Sequence, residues 1–363
     1  MKKFLVDAYL AKNLGDDLFL KILFDRYRDA EVEWHLYTDD KTYSKTFGDY
    51  TNVIVHYNNI VFKLLNKINT TYKLRSFLLA NKYDGFLKIG GSIFIQAKKW
   101  KKQLNRNKYI IKSFKDKNKK VFIIGANFGP YTEENYQKTY RKIFKKCDDV
   151  CFRDEYSFNL FNDIDTVRLA PDIIFTLNYT QKSKMKKTVG ISVINLKDRH
   201  DLARYEDEYT NKNRELIEGF IEEGYNIYLY SFCEKQGDKE AILKILNSLQ
   251  KEILNRVKII EYKGDINEFL DTFSSMESII GCRFHSIILS MVFNQGFYPI
   301  VYSNKTNNVL QDLNLGQYMT SIKDISQLNI KEVMNIISNN HLVERNVIDV
   351  SRKQFEKLDQ FIF

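Results

Sequence analysis

Short β-rich runs alternate with longer amphipathic runs along nearly the whole chain, and this alternation constrains the fold more than any other feature. Runs of β-branched, aromatic and other apolar residues fall at Lys3–Tyr9, Val32–Tyr37, Val53–His56, Gly85–Ile89, Val121–Gly125, Val150–Arg153 and Val167–Leu169. Helical periodicity fills most of the intervals, for example over Leu14–Tyr27, Gln96–Phe114 and Glu133–Lys146. The polar stretch Asn178–Lys187 then reads as an interdomain linker. A second series follows, with strands expected at Thr188–Val193, Ile227–Phe232, Lys258–Tyr262, Ser278–Gly281 and Pro299–Tyr302, and helices at Glu206–Glu223, Lys239–Leu254 and Phe284–Phe293. Such alternation predicts parallel sheets covered by helices on both faces. The expected fold class is therefore α/β, with two Rossmann-like, doubly wound domains over 1–178 and 188–340. The tail, 341–363, reads from Val343 onward as a helix packing back on the body. Ligands of this architecture bind outside the carboxyl ends of the strands, so a cleft between the domains is the expected site.

Composition supports this reading. The 363 residues suit two domains of about 150 each. With 44% hydrophobic and 28% charged residues the chain can bury a core, which excludes a disordered class. Three Pro and 15 Gly exclude a collagenous or linker-dominated one. The cysteines, Cys147, Cys151, Cys233 and Cys282, form no CxxC pair, so neither a zinc site nor a disulfide framework is indicated, which fits a reducing compartment. The opening apolar run is broken by Asp7 and Lys12 and no small-residue cleavage site follows. No stretch reaches the roughly 18–20 apolar residues of a membrane span. The expected location is cytoplasmic.

The net charge of +10 is concentrated in one segment. Between Lys98 and Lys120 stand eleven Lys or Arg against Asp116 alone, a local net of 11 − 1 = +10, so the remainder is formally neutral. Trp100, Leu104, Ile111 and Phe114 form a buried stripe on the same helix, and its opposite face is either simply solvated or a peripheral contact for an anionic membrane. Nucleic acid is not an expected partner, because no recognition motif accompanies the basic face.

Residues with special chemistry cluster where the expected strands end. Asn13-Leu14-Gly15-Asp16-Asp17 suits a tight turn and helix cap, or a ligand contact. Gly90-Gly91-Ser92 is a short turn at which backbone can approach a ligand. Gly125-Ala126-Asn127-Phe128-Gly129-Pro130 is a second glycine-bearing loop. Arg153 either reaches an anion or joins a structural network with Asp154, and Asp172 either meets ligand or holds its corner together. In the second half Arg283 and His285 stand two apart at a strand-to-helix junction, where guanidinium, free N–H groups and imidazole would suit an anion. Lys305, just beyond a later strand, is a second anion contact or a surface lysine.

Taken in order, the segments NLGD, GGS, GANFGP, FRDEYS, APD, GIS, GCRFHS and PIVYSNK resemble the polysaccharide pyruvyl transferase family, over Asn13 to Lys305. The resemblance implies a fold like that of GT-B glycosyltransferases, with an acceptor-side N-terminal domain and a donor-side C-terminal domain. It also implies transfer of a pyruvyl group from phosphoenolpyruvate to a sugar of a surface polysaccharide or its lipid-linked precursor, as a ketal. Arg283 and His285 match the family's R-x-H signature, which is associated with the donor. This chain departs from the family in two places. An arginine often follows the strand resembling Thr188–Val193, whereas here Ile194 and Asn195 follow and Arg199 comes later. The common triple glycine reads Gly90-Gly91-Ser92.

The residues present suit such chemistry. Arg283 and Lys305, with Arg199 as a third cation, would hold the phosphate and carboxylate. His285 would act as general acid or phosphate contact, and Asp16 or Asp172 would deprotonate the sugar hydroxyl. Gly15, Gly90, Gly91, Ser92, Asn127 and Arg153 are the further expected substrate contacts. Neither a metal nor a cofactor is called for, phosphoenolpyruvate being a co-substrate. Two other classes stay open, a GT-B glycosyltransferase using a nucleotide sugar and a non-catalytic member of a polysaccharide assembly complex.

Overall fold

In a computed structural model, which describes residues 1–58, 69–197, 199, 201–339 and 345–363, the chain forms two parallel-sheet α/β units. The first sheet contains β1 (Lys2–Asp7), β2 (Val32–Thr38), β3 (Val53–Tyr57), β4 (Gly85–Ile89), β5 (Lys120–Ala126), β6 (Asp149–Phe152) and β7 (Val167–Leu169). Their order across the sheet is β3-β2-β1-β4-β5-β6-β7, parallel throughout. The second contains β8 (Met185–Ser192), β9 (Asn226–Ser231), β10 (Val257–Glu261), β11 (Met276–Gly281), β12 (Gly296–Val301) and β13 (Thr320–Ser321), ordered β10-β9-β8-β11-β12-β13 and again parallel. Both windings run outward from the first strand in one direction and then restart on its other side, which creates a topological switch point in each sheet.

Apolar continuity explains why these strands are central. The residues of β4 and β12 are buried throughout, as expected for parallel strands covered on both faces. Helices pack on them with apolar stripes. Leu216, Ile217 and Phe220 of the helix Glu206–Glu222 are fully buried against the second core, each contributing about 1.5–3 kcal/mol. In the first core Phe94, Phe128, Tyr140, Phe144 and Phe161 meet edge to face, with centroids 4.8–6.2 Å apart.

The compact units are not contiguous in sequence. One consists of Met1–Leu10, Leu18–Thr176 and Asn346–Phe363, the other of Ala11–Asp17 and Leu177–Arg345. The stretch expected as a linker is partly ordered in the second unit. Met185–Lys187 opens β8, and the Tyr179 hydroxyl donates to the Asn267 carbonyl (3.0 Å). Those first strand positions are exposed, so they carry no apolar signal in the sequence. Two helices expected as continuous are broken. Asp238–Ser248 ends at Leu249, which is extended, before a separate 3-10 turn at Lys251–Arg256. The tail comprises Arg345–Arg352, a 3-10 turn and Glu356–Ile362, while 341–344 lie outside the described residues. It packs on the first unit, where Asp359 accepts from Arg26 Nε (2.9 Å) and the Tyr27 hydroxyl (2.6 Å). Among the described residues no helix is long and apolar enough to cross a membrane.

Candidate functional site

The switch point of the second sheet lies between β8 and β11, whose last residues, Ser192 and Gly281, are register partners. Ser192 Oγ accepts from the backbone N–H of Cys282 (2.9 Å) and Arg283 (3.1 Å) and bonds to Ser286 Oγ (2.6 Å). A small hydroxyl residue at the end of β8 thus fixes the junction at which the helix Phe284–Val292 begins. Arg283, the N-cap, turns its side chain inward. Its Nε donates to Asp238 Oδ2 (2.9 Å), Nη2 to Asp238 Oδ1, and Nη1 to Gln236 Oε1. Asp238 is fully buried and also accepts from the N–H groups of Phe232 and Cys233 (both 3.0 Å). Burial disfavours the charge of Arg283, but the Asp238 carboxylate opposite it prevails, holding the guanidinium protonated above its ordinary range. Arg283 therefore braces the junction through a two-pronged ion pair.

Two further cations lie over aromatic rings of this unit, one over Tyr302 and one over Phe284. The Arg199 guanidinium lies 4.5 Å from the Tyr302 ring centroid, while its Nε donates to the Asn195 carbonyl (3.2 Å). The Lys305 ammonium lies 5.8 Å from the Phe284 ring centroid. Burial would raise the pKa of the Tyr302 phenol, yet Lys305, Arg283 and Arg199 together bring it below the ordinary tyrosine value. No arginine directly follows β8, and Arg199 is the first beyond it. A turn in which the Arg199 N–H donates to the Leu196 carbonyl (2.9 Å) brings Arg199 over Tyr302.

The segment Ala11–Asp17, which runs into the first turn of the helix Leu14–Arg26, belongs to this unit. The Leu14 N–H donates to the Phe232 carbonyl just beyond β9 (3.1 Å), and the Tyr262 hydroxyl, just beyond β10, donates to the buried Asp17 Oδ2 (2.6 Å). Gly15 is held by its neighbour, its N–H donating to Asn13 Oδ1 (3.1 Å), and it presses against His285. Any Cβ at residue 15 would lie 1.6 Å from His285 Nδ1, so glycine is required by close approach. Asp16 stands half-buried on the same turn. Among the expected site residues, Gly15, Asp16, Arg283, His285 and Lys305 all fall within this one unit, joined by Arg199.

The other expected residues assemble in the first unit. Arg153 Nη1 donates to Asp172 Oδ2 (2.6 Å) and Nη2 to Asn127 Oδ1 (2.8 Å), and Ser92 Oγ donates to the same Asn127 oxygen (3.3 Å). Gly91 lies under the guanidinium, where a Cβ would come within 2.5 Å of Nη2, and the Gly90 N–H donates to the Ile124 carbonyl (3.3 Å). These contacts bear on two of the expectations. The carboxylate that Arg153 bonds is that of Asp172, while Asp154 caps the helix Glu155–Asn159 by accepting from the Ser157 N–H (2.8 Å). Of the two roles open to Asp172, its contacts match that of a corner residue. Its side chain is fully buried, pairs with Arg153 and accepts from the Ile174 N–H (2.9 Å), so it holds the corner.

Several residues that the sequence reading passed over belong to these sites. Asp238 and Gln236 complete the second switch point, beside Asp17 and Tyr302 of the segments already singled out. At the first, Lys88 Nζ donates to Asp7 Oδ2 (2.6 Å), and the two are register partners at the ends of β4 and β1. A lone lysine in the otherwise apolar GFLKI was the available signal for that pair. Asp238 carried none, since an acid in the first turn of a helix is ordinary. Among the described residues no three His, Cys, Asp or Glu side chains come together as a metal site.

Known proteins resemble the chain in family and in fold. A family profile described as polysaccharide pyruvyl transferase matches residues 13–304. The amylovoran biosynthesis protein AmsJ of Erwinia amylovora is 22% identical over 290 residues, covering 73% of this chain and 68% of AmsJ. In fold, the chain is similar to the UDP-GlcNAc 2-epimerase of Neisseria meningitidis bound to UDP-GlcNAc, with a TM-score of 0.64, 11% identity, and 99% and 100% of the two chains covered. It is also similar to Anabaena HepE in complex with UDP-glucose, with a TM-score of 0.53, 12% identity and the same coverage. The architecture is thus of the GT-B-like kind, two Rossmann-like α/β domains in one chain.

Proposed function

The chain belongs to the polysaccharide pyruvyl transferase family, and from that premise we propose that it transfers a pyruvyl group from phosphoenolpyruvate to a sugar of a surface polysaccharide or its lipid-linked precursor. The observation that carries the reading is a group of cations and an imidazole at the end of β12: Arg199 lies 4.5 Å from the Tyr302 ring centroid, and Lys305 lies 5.8 Å from that of Phe284, whose ring is 5.0 Å from the His285 ring. Phosphoenolpyruvate bears a phosphate and a carboxylate on adjacent atoms of a small frame. Arg199 and Lys305 supply the direct charge for these anions, while Arg283, braced by Asp238, adds its field and positions His285.

The proposed chemistry proceeds in two additions. A sugar hydroxyl oxygen bonds to C2 of the enol while the C2–C3 π pair takes a proton at the methylene carbon from His285. Asp16, on the turn that Gly15 presses against the imidazole, accepts the hydroxyl proton. The C2–O bond to phosphate then breaks, a second hydroxyl of the same sugar closes on C2, and its proton leaves with the phosphate. The products are a cyclic ketal and inorganic phosphate, so no oxidant or reductant is needed.

The test is a thermal-shift titration with phosphoenolpyruvate and a panel of nucleotide sugars on wild type, Arg199→Ala and Lys305→Ala. Phosphoenolpyruvate should stabilise the wild type, and each variant should bind it roughly tenfold to a hundredfold more weakly, the worth of a charged hydrogen bond of about 1.5–3 kcal/mol. Stabilisation by a nucleotide sugar alone, of the kind bound by the epimerase and HepE, would move the chain to glycosyl transfer. Response to neither donor would favour a non-catalytic assembly role.

A further inference from the structure

The helix Asn69–Lys82 of the first unit carries apolar side chains on the side turned to solvent. Ser76 and Ala80 are buried, whereas Leu74, Phe77 and Leu78 are 58%, 50% and 58% exposed. Their spacing at i, i+3 and i+4 makes one continuous stripe, not scattered single exposures. Lys73 and Lys82 stand exposed along its margin. The neighbouring helix Trp100–Lys115 packs against this one and buries Leu104, Ile110, Ile111 and Phe114, which leaves Lys101, Lys108 and Lys112 facing outward. The two surfaces meet directly, because the Lys117 ammonium lies 4.3 Å from the Phe77 ring centroid and the Arg106 guanidinium 5.2 Å from that of Tyr72. Asp116 and Asp148 take up Lys112, Lys115 and Lys120 in ion pairs, while Lys98, Lys99, Lys101 and Lys108 extend the positive surface.

We propose that this two-helix face is a docking surface for an anionic lipid bilayer, with Leu74, Phe77 and Leu78 entering the headgroup boundary and the flanking lysines meeting lipid phosphates. The layering favours this occupant, since an apolar stripe bordered by cations complements acyl chains bordered by anionic headgroups. A second copy of the chain fits poorly. The stripe offers roughly 300 Å² of apolar surface against the about 800 Å² per partner of a stable protein interface, and two identical basic faces would repel. The inference goes beyond the donor and acceptor chemistry and does not depend on it.

The experiment is co-sedimentation of the full chain with vesicles of phosphatidylcholine alone and of equal parts phosphatidylcholine and phosphatidylglycerol. Wild type should bind the anionic vesicles and not the neutral ones. The Leu74→Ser, Phe77→Ser, Leu78→Ser triple variant should lose about tenfold or more in partitioning. Charge reversal at Lys101 and Lys108 should lose at least as much, each lysine being worth about fivefold. Both variants should keep the wild-type melting temperature and donor response, because the altered side chains point outward and lie outside the donor site. Should the triple variant fail to fold, Phe77→Trp gives an independent reading, its indole emission shifting to the blue on anionic vesicles. No binding of wild type to anionic vesicles, unchanged binding of the folded triple variant, or an indole that stays solvent-like would each overturn the proposal. So would an oligomer in lipid-free buffer that the triple variant abolishes while vesicle binding persists.

Discussion

Gly15 lies against His285 so closely that a methyl group at residue 15 would overlap the imidazole. The proposed proton donor is thus held from one side by its own helix and from the other by a turn more than two hundred residues distant in sequence. Gly15→Ala should displace the imidazole by about an ångström and lower kcat/KM for phosphoenolpyruvate about a hundredfold. The melting temperature should move little, since the loop keeps its bond from Leu14 to Phe232 and from Tyr262 to Asp17. Steady-state kinetics beside a melting curve checks this. Wild-type turnover in Gly15→Ala would remove His285 from the mechanism.

The Arg283–Asp238 pair makes a prediction about stability as well as rate. Asp238→Ala leaves a buried guanidinium without its carboxylate and should cost about 3–5 kcal/mol in urea unfolding. Arg283→Met combined with Asp238→Leu removes both charges and should cost less than the two single substitutions summed. A double variant that loses the full sum would mean that the residues do not act as a pair.

Asp172→Asn should lower the unfolding midpoint by weakening the bond to Arg153, yet leave the acid limb of the pH–rate profile in place. The measurement is kcat/KM against pH for variant and wild type. Disappearance of the acid limb would restore Asp172 as the base and overturn its assignment as a corner residue.

A fourth prediction concerns pH and the first unit alone. His35 Nδ1 and His56 Nε2 lie 2.9 Å apart with stacked rings. Burial lowers both pKa values, opposed at His35 by Glu33, and that of His56 falls from 6.5 to about 4, with Lys82 and His35 assisting. The folded chain therefore keeps His56 neutral in a range where the unfolded chain takes up a proton. Stability should decline as pH falls from about 6.5 towards about 4. Melting temperatures across that window should show the decline, and His56→Gln should flatten it; an equal slope in the variant would exclude this pair as the cause.

Much of the architecture was legible because parallel strands buried on both faces must be apolar over their whole length, as β4 and β12 are. The edges were less so. The strand β13 is two residues long, and the first three residues of β8 are exposed lysines and a methionine, so neither departs from loop composition. At the sites, Arg283, His285 and Lys305 stood out because cations at strand ends are conspicuous. Their partners were hidden by distance, as Asp238 lies 45 residues from Arg283 and Asp17 lies 245 from Tyr262. Pairing of that kind is set by sheet order, which one-dimensional periodicity does not carry. Arg153 shows the same limit, for the nearer acid, Asp154, was occupied with a helix cap and the true partner came from beyond the next strand.

The seven residues Ala11–Asp17 are encoded within the first domain's stretch of chain but fold with the second. Neither domain is therefore a contiguous cassette. An exchange of N-terminal halves between related genes would carry Gly15 and Asp17 with it into a foreign second domain. A recombinant would keep its imidazole seated only where both parents share that glycine turn, so the heritable unit of the His285 surroundings spans two separated pieces of the gene.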